Sequence, residues 1–336
     1  MRHLFLVHSN LTHLLARRVV EYEGIEPEDV ALLVRRRYRP DERRFRVVHL
    51  PIYKGVRKPL PKRFGLLYGR RRLRAVDGLL DEITEGHPFH FYVPHTLKRF
   101  ERVVLSHPSC AGFSFLEEGL AAYRTREELG RIVPRVATSR TQRIAYRGRL
   151  GEREFYRAGN TKAYGLSSWS FPDVEGRVVF DDLFRDAYSG DLSSIENVLV
   201  FDNASVTGKI RLETVLRCVD RALTKLSGEG MKSLHYKFHP AQAGSDEIER
   251  LESLLAGYAP QIHCQRLPDD AVLEGIAQAA PRVSFHQNVS SVGLYAAFAG
   301  CSVRSFAGYV IEAEPRFRRV YESQPRIYHE LVELLE

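Results

Sequence analysis

Short unbroken apolar runs alternate along this chain with longer stretches in which apolar residues recur every three or four positions. Arg2–Val7, Val30–Val34, residues 45–50 and Phe89–Val93 are runs of the first kind, and such runs fit strands covered on both faces. Between them, residues 11–22 carry Leu11, Leu14, Leu15 and Val19 at helical spacing, and residues 73–83 read as a second helix. Residues 103–105 and 112–116 are read as two further strands, the second followed by a helix-like segment, Leu120–Tyr123. From about 138 to 191 the pattern loosens, with a weak strand pair expected around 153–156 and 178–180 and an inter-domain connection near 170–195.

The same grammar restarts in the second half. Strands are expected at 197–201, 233–238, 261–264, 283–285 and 301–306, and helices at 211–227, 247–255, 269–279, 292–299 and 319–335. Strands alternating with helices predict βα units and mostly parallel sheets. The fold class expected is therefore α/β, with one half over residues 1–180, a second over 190–320 and a closing helix over 320–336.

Composition fits a folded soluble chain: of 336 residues, 44% are hydrophobic and 27% charged. The formal charge of +8 is uneven. Arg35–Arg37, Arg39, Arg43, Arg44, the stretch from Lys54 to Lys62 and Arg63, Arg70–Arg72 and Arg74 crowd the first third. Such clustering attracts nucleic acid, an anionic membrane surface or an anionic saccharide, against the plain alternative of a solvated face. Cys110, Cys218, Cys264 and Cys301 lack any CxxC or Cys/His metal spacing, which suggests reduced thiols in a cytoplasmic protein. No apolar run is long enough to span a bilayer. Peripheral contact at the inner membrane through the basic region is a further expectation.

Three short constellations can carry chemistry. Glu117-Glu118-Gly119 closes a strand, where ligands gather in α/β folds; alone, the acids would read as a helix start. His239-Pro240 follows the strand at 233–238, and proline biases the histidine to an extended, directed geometry. Imidazole can give or take a proton near neutrality. Ser290-Ser291 sits where a strand becomes a helix, a place suited to an anion or to a simple cap. His107-Pro108 repeats the dipeptide, so the dipeptide alone decides nothing. His8, His13, His95, His263 and His286 show no metal-ligand spacing, and glycine loops of the dinucleotide, P-loop or nucleophile-elbow type are missing from the sequence.

The order of these motifs resembles the bacterial sialyltransferases, including the polysialyltransferase and lipooligosaccharide sialyltransferase families, which share an acidic-acidic-glycine motif, an HP motif and a C-terminal serine motif. The surrounding text HPSCAGFSFLEEGLAAY, YKFHPAQ and NVSSVGLYAAFAG is similar too, as is the opening LFLVHSNLTHLL. The resemblance implies a GT-B fold of two Rossmann-like domains facing across a cleft. It places the acceptor and general base on the N-terminal domain and a CMP-sugar donor on the C-terminal one, with inverting, metal-independent transfer and no cofactor. By the same implication the acidic motif supplies the base; the sequence does not settle which acid acts, Glu118, directly before the glycine, being favoured and Glu117 kept as an orienting or backup candidate. His239 acts at the leaving phosphate, and Pro240, Ser290 and Ser291 help to bind the donor. The acceptor expected is a surface glycan, anionic or membrane-linked.

The motifs do not read the sugar, so CMP-Kdo or another CMP-nonulosonate stays open beside CMP-sialic acid. Two other readings compete: a UDP- or GDP-sugar enzyme of the same architecture, and an Arg-rich nucleic-acid-binding protein. The last leaves all three motifs as coincidence, and no nucleic-acid motif is present.

Overall fold

The computed structural model describes residues 1–35, 38–50, 62–185 and 187–335, with residues 62–66 described by their backbone alone. Of the basic run, Arg36, Arg37 and the stretch from Lys54 to residue 61 therefore lie outside the described residues. The chain divides into two compact units, Met1–Leu183 and Phe184–Glu336.

In the first unit, β1 (Arg2–Val7), α1 (Asn10–Glu23), β2 (Val30–Val34), β3 (Arg46–His49), α2 (Lys62–Thr84), β4 (Phe89–Val93), α3 (Arg99–Leu105), β5 (Cys110–Leu116), α4 (Arg126–Ile132), α5 (Arg140–Ala145), β6 (Ala163–Gly165) and β7 (Arg177–Val179) follow in order. The sheet runs β3-β2-β1-β4-β5-β6-β7, and every pairing is parallel. Strands β2 and β4 are buried along their whole length, which is why their sequences are continuous apolar runs rather than alternating ones. Helix α1 begins on a capping box, Ser9 Oγ accepting from Thr12 N while Ser9 N donates to Thr12 Oγ1. It ends on Gly24 in the left-handed region at φ +61°.

The second unit contains β8 (Asn197–Val200), α6 (Leu212–Gly228), β9 (Ser233–Lys237), α7 (Asp246–Gly257), β10 (His263–Arg266), α8 (Leu273–Ala279), β11 (Ser284–Gln287), α9 (Ser291–Phe298), β12 (Val303–Ser305), α10 (Ala307–Ala313), α11 (Arg318–Glu322), α12 (Arg326–Leu331) and β13 (Glu333–Leu334). Its sheet runs β10-β9-β8-β11-β12-β13, again all parallel. Both sheets thus share the doubly wound order, with strand order reversing at β1/β4 and at β8/β11, where open α/β sheets place ligands. Val219, Leu223 and Leu226 of α6, Leu251 and Leu255 of α7 and Tyr309 and Val310 of α10 pack with Leu234 in one core.

Three local expectations are corrected. Residues 103–105 are the last turn of α3 rather than a strand; Phe100, Val103 and Val104 already stand at helical spacing, and three consecutive apolar residues are too few to tell the two apart. Strand β7 pairs with β6, not with residues 153–156, where Arg153 instead forms an isolated bridge to Val136. The closing helix over 319–335 is two short helices broken at Pro325, after which β13 adds an edge strand to β12.

Candidate functional site

Glu117 and Glu118 leave β5 in opposite senses. Glu117 continues the strand for one residue, its N–H donating to Tyr164 O at 3.0 Å, and its side chain is fully buried. Its Oε1 accepts from Tyr123 Oη at 2.5 Å, and its Oε2 accepts from Leu166 N at 2.8 Å and Ser170 Oγ at 2.7 Å. Burial, and then the Glu117 carboxylate, push the Tyr123 phenol far above its ordinary pKa, so it stays a donor. Glu117 is therefore an internal anchor that ties the 120–123 turn and the 166–170 loop to the strand end. At Gly119 the backbone takes φ +145° and ψ −156°, a region open essentially to glycine alone, and this explains the glycine of the motif.

Glu118 keeps 25% of its side chain exposed, and two imidazoles flank it: His8 Nε2 lies 2.5 Å from Oε1 and His95 Nε2 lies 3.9 Å from Oε2. Burial lowers the His95 pKa, while Glu101 and Glu118 act the other way. His8 follows β1, His95 follows β4 and Glu118 follows β5, so three strands deliver the cluster to one sheet edge. A partly exposed carboxylate held there can accept a proton from a bound hydroxyl. The sequence pattern gives neither histidine a role; the available signal is that His8 directly follows β1 and that His95 stands two residues after β4, behind Pro94.

In the second unit His239 caps the single turn Pro240–Gln242 with φ −69° and ψ 139°. Its Nδ1 accepts from Ala241 N at 3.0 Å, which assigns the neutral ring's proton to Nε2. Its own N–H donates to Gln242 Oε1 at 2.7 Å, and the buried Gln242 amide donates onward to Glu247 Oε1 at 2.8 Å. The decoy His107-Pro108 has the same local geometry, with Nδ1 accepting from Ser109 N at 3.2 Å. It stands before β5 rather than after a strand, so its position in the sheet separates it from His239.

Ser290 is the N-cap of α9, its Oγ accepting from Val292 N at 3.2 Å, and Ser291 is the first helical residue. The helix start is pinned from behind by buried Gln287, whose Oε1 accepts from Gly293 N at 3.1 Å and whose Nε2 donates to Ser290 O at 3.4 Å. A Cβ on Gly293 would fall 2.1 Å from Gln287 Nε2. Gly293→Ala is therefore expected to lower thermal stability by about 1–3 kcal/mol through overpacking; unchanged melting would show that Gln287 does not set this helix start. Beside it, Asn288 Nδ2 donates to Asp202 Oδ2 at 2.8 Å, and burial raises the pKa of Asp202 against hydrogen bonds from Ala204 and Asn288. His286 is core: burial drives its pKa down to about 4.

Among the described residues no group of three or more His, Cys, Asp or Glu side chains could hold a metal ion, and no helix is long and apolar enough to cross a membrane. The four cysteines are free thiols.

No protein-family model matches the chain, and no curated protein matches it. Among solved structures it is similar to the UDP-GlcNAc 2-epimerase of Methanocaldococcus jannaschii in complex with UDP-GlcNAc and UDP, at 10% identity and a TM-score of 0.52, covering 100% of this chain and 89% of that one. An α,α-trehalose-phosphate synthase (UDP-forming) from Burkholderia vietnamiensis is also similar at 11% identity and a TM-score of 0.44, covering 98% of this chain and 94% of that one. The two doubly wound parallel sheets and the first of these likenesses make the fold GT-B.

Proposed function

We propose that the protein is an inverting, metal-independent glycosyltransferase that moves sialic acid, or a related 2-keto sugar, from a CMP-activated donor to a glycan hydroxyl in bacterial surface-glycan synthesis. The observation that carries this reading is the contrast within the acidic pair: Glu117 is consumed as a buried anchor, while Glu118 stands a quarter exposed between His8 and His95.

In this reading Glu118 takes the proton of the acceptor hydroxyl as its oxygen bonds to the anomeric carbon. The bond from that carbon to the donor phosphate breaks, its electron pair leaving with CMP. The second unit binds the donor. The Nε2–H of His239 donates to the departing phosphate, and Ser290, Ser291 and the α9 N-terminus offset its charge. Pro240 fixes the turn that aims His239.

The similarity to an epimerase bound to UDP keeps a UDP-sugar enzyme as the second reading. Thermal denaturation with CMP, UMP, UDP and GMP separates the two. CMP at about a hundred times its Kd is expected to stabilise by about 2.7 kcal/mol, with the other nucleotides weaker. Stabilisation by UDP with none by CMP would reverse the assignment.

A further inference from the structure

His95 belongs to the Glu118 cluster, yet the transfer step gives it no work, and its surroundings fix its ring. Thr96 N donates to Phe155 O at 2.8 Å, and the Phe155 ring meets the imidazole edge-on with centroids 5.3 Å apart. Leu97 N donates to Nδ1 at 3.4 Å, which leaves the neutral ring's proton on Nε2. Burial, the largest influence on this ring, lowers its pKa and so favours that neutral form. Nε2 stands 3.9 Å from Glu118 Oε2, too far for a direct hydrogen bond. The other carboxylate oxygen, Oε1, lies against His8 Nε2 at 2.5 Å, so Oε2 is the one turned to His95. Two hydrogen bonds of about 2.8 Å laid end to end span about 5.6 Å, so a single oxygen placed off the line between the two atoms reaches both. Both side chains are partly open, Glu118 by 25% and His95 by 11%.

We propose that Glu118 Oε2 and His95 Nε2 form a two-point seat for one hydroxyl oxygen, which makes His95 a second residue in contact with the reacting group. The hydroxyl donates its proton to Oε2 and accepts from the Nε2–H, which can only donate. One lone pair of the hydroxyl oxygen is then held by His95, and the other forms the new bond. The O–H bond breaks toward Glu118, and the imidazole keeps its own proton. As the hydroxyl proton leaves, charge grows on the oxygen, and a donor already aimed at it stabilises the transition state more than the ground state. A neutral amine has a single lone pair, so accepting from His95 would consume the pair that attacks; the seat selects hydroxyls over amines. It presupposes Glu118 as the base, as in the transfer proposed for this site, and it serves any sugar donor.

A high-resolution crystal structure of the full chain without substrates tests the seat, because water is itself a hydroxyl that can fill it. One ordered water within about 3 Å of both Glu118 Oε2 and His95 Nε2 is expected. His95→Phe keeps a ring beside Phe155 and removes the N–H, and it should lose this water. His95→Gln places an amide N–H at similar reach and should keep it. With the donor and acceptor that yield product, His95→Phe is expected to lower kcat/KM for the acceptor at least about 10-fold. His95→Gln should restore most of that loss, and stabilisation by CMP should match the parent in both variants. A direct Glu118–His95 hydrogen bond in the crystal, no ordered oxygen between the two, or a water that survives His95→Phe overturns the proposal. So do parent acceptor kinetics in His95→Phe. Were no donor to yield product, the proposed transfer would fail, and the water would still decide the seat.

Discussion

Glu118→Gln is expected to lower transfer at least about 100-fold, the low end for a positioned acid–base group, while the protein melts as the parent does. The substitution keeps the shape and polarity of a side chain that is 25% exposed, and it removes only the basic oxygen and its charge. The loss should fall on kcat, because the proton is taken in the transition state rather than on binding. The neighbours that could stand in are poorly placed to do so. Glu117 is buried and already accepts from Tyr123, Leu166 and Ser170, and burial lowers the His95 pKa. Near-normal turnover in Glu118→Gln would remove this residue from the chemistry.

Glu117→Ala should act on stability instead, by about 3–5 kcal/mol, as expected when one partner is deleted from a buried polar network. It would leave the Tyr123 hydroxyl, the Leu166 N–H and the Ser170 hydroxyl without their shared carboxylate, inside a core that also holds Phe115, Tyr156 and Phe171. The 166–170 loop should then become the first site of limited proteolysis. Denaturant melts and cleavage mapping read both effects. A variant that melts like the parent but transfers nothing would move the catalytic role from Glu118 to Glu117.

These opposite expectations for adjacent acids show where sequence reading stopped. The triplet Glu117-Glu118-Gly119 was visible as a strand-end motif, but successive residues leaving a strand point to opposite sides. Nothing in the one-dimensional order says which side is core. That depended on β6, a strand of only Ala163, Tyr164 and Gly165, which carries too little pattern to be read. His8 and His95 were missed for a related reason. They approach Glu118 only because β1, β4 and β5 are neighbours in the sheet, and that adjacency is a long-range property. Both alternating halves were legible, because strands covered on both faces must be continuous apolar runs. The misread segment at 103–105 is where an apolar run was too short for its period to show.

The most direct measurement is mass spectrometry of products formed when the purified protein meets CMP-Neu5Ac, CMP-Kdo, and UDP- and GDP-sugars with a panel of labelled glycan acceptors. An acceptor gaining one or more 2-keto sugar residues from a CMP donor, with that gain abolished by Glu118→Gln, is the result expected. Transfer from a UDP- or GDP-sugar while both CMP donors return unreacted would contradict it.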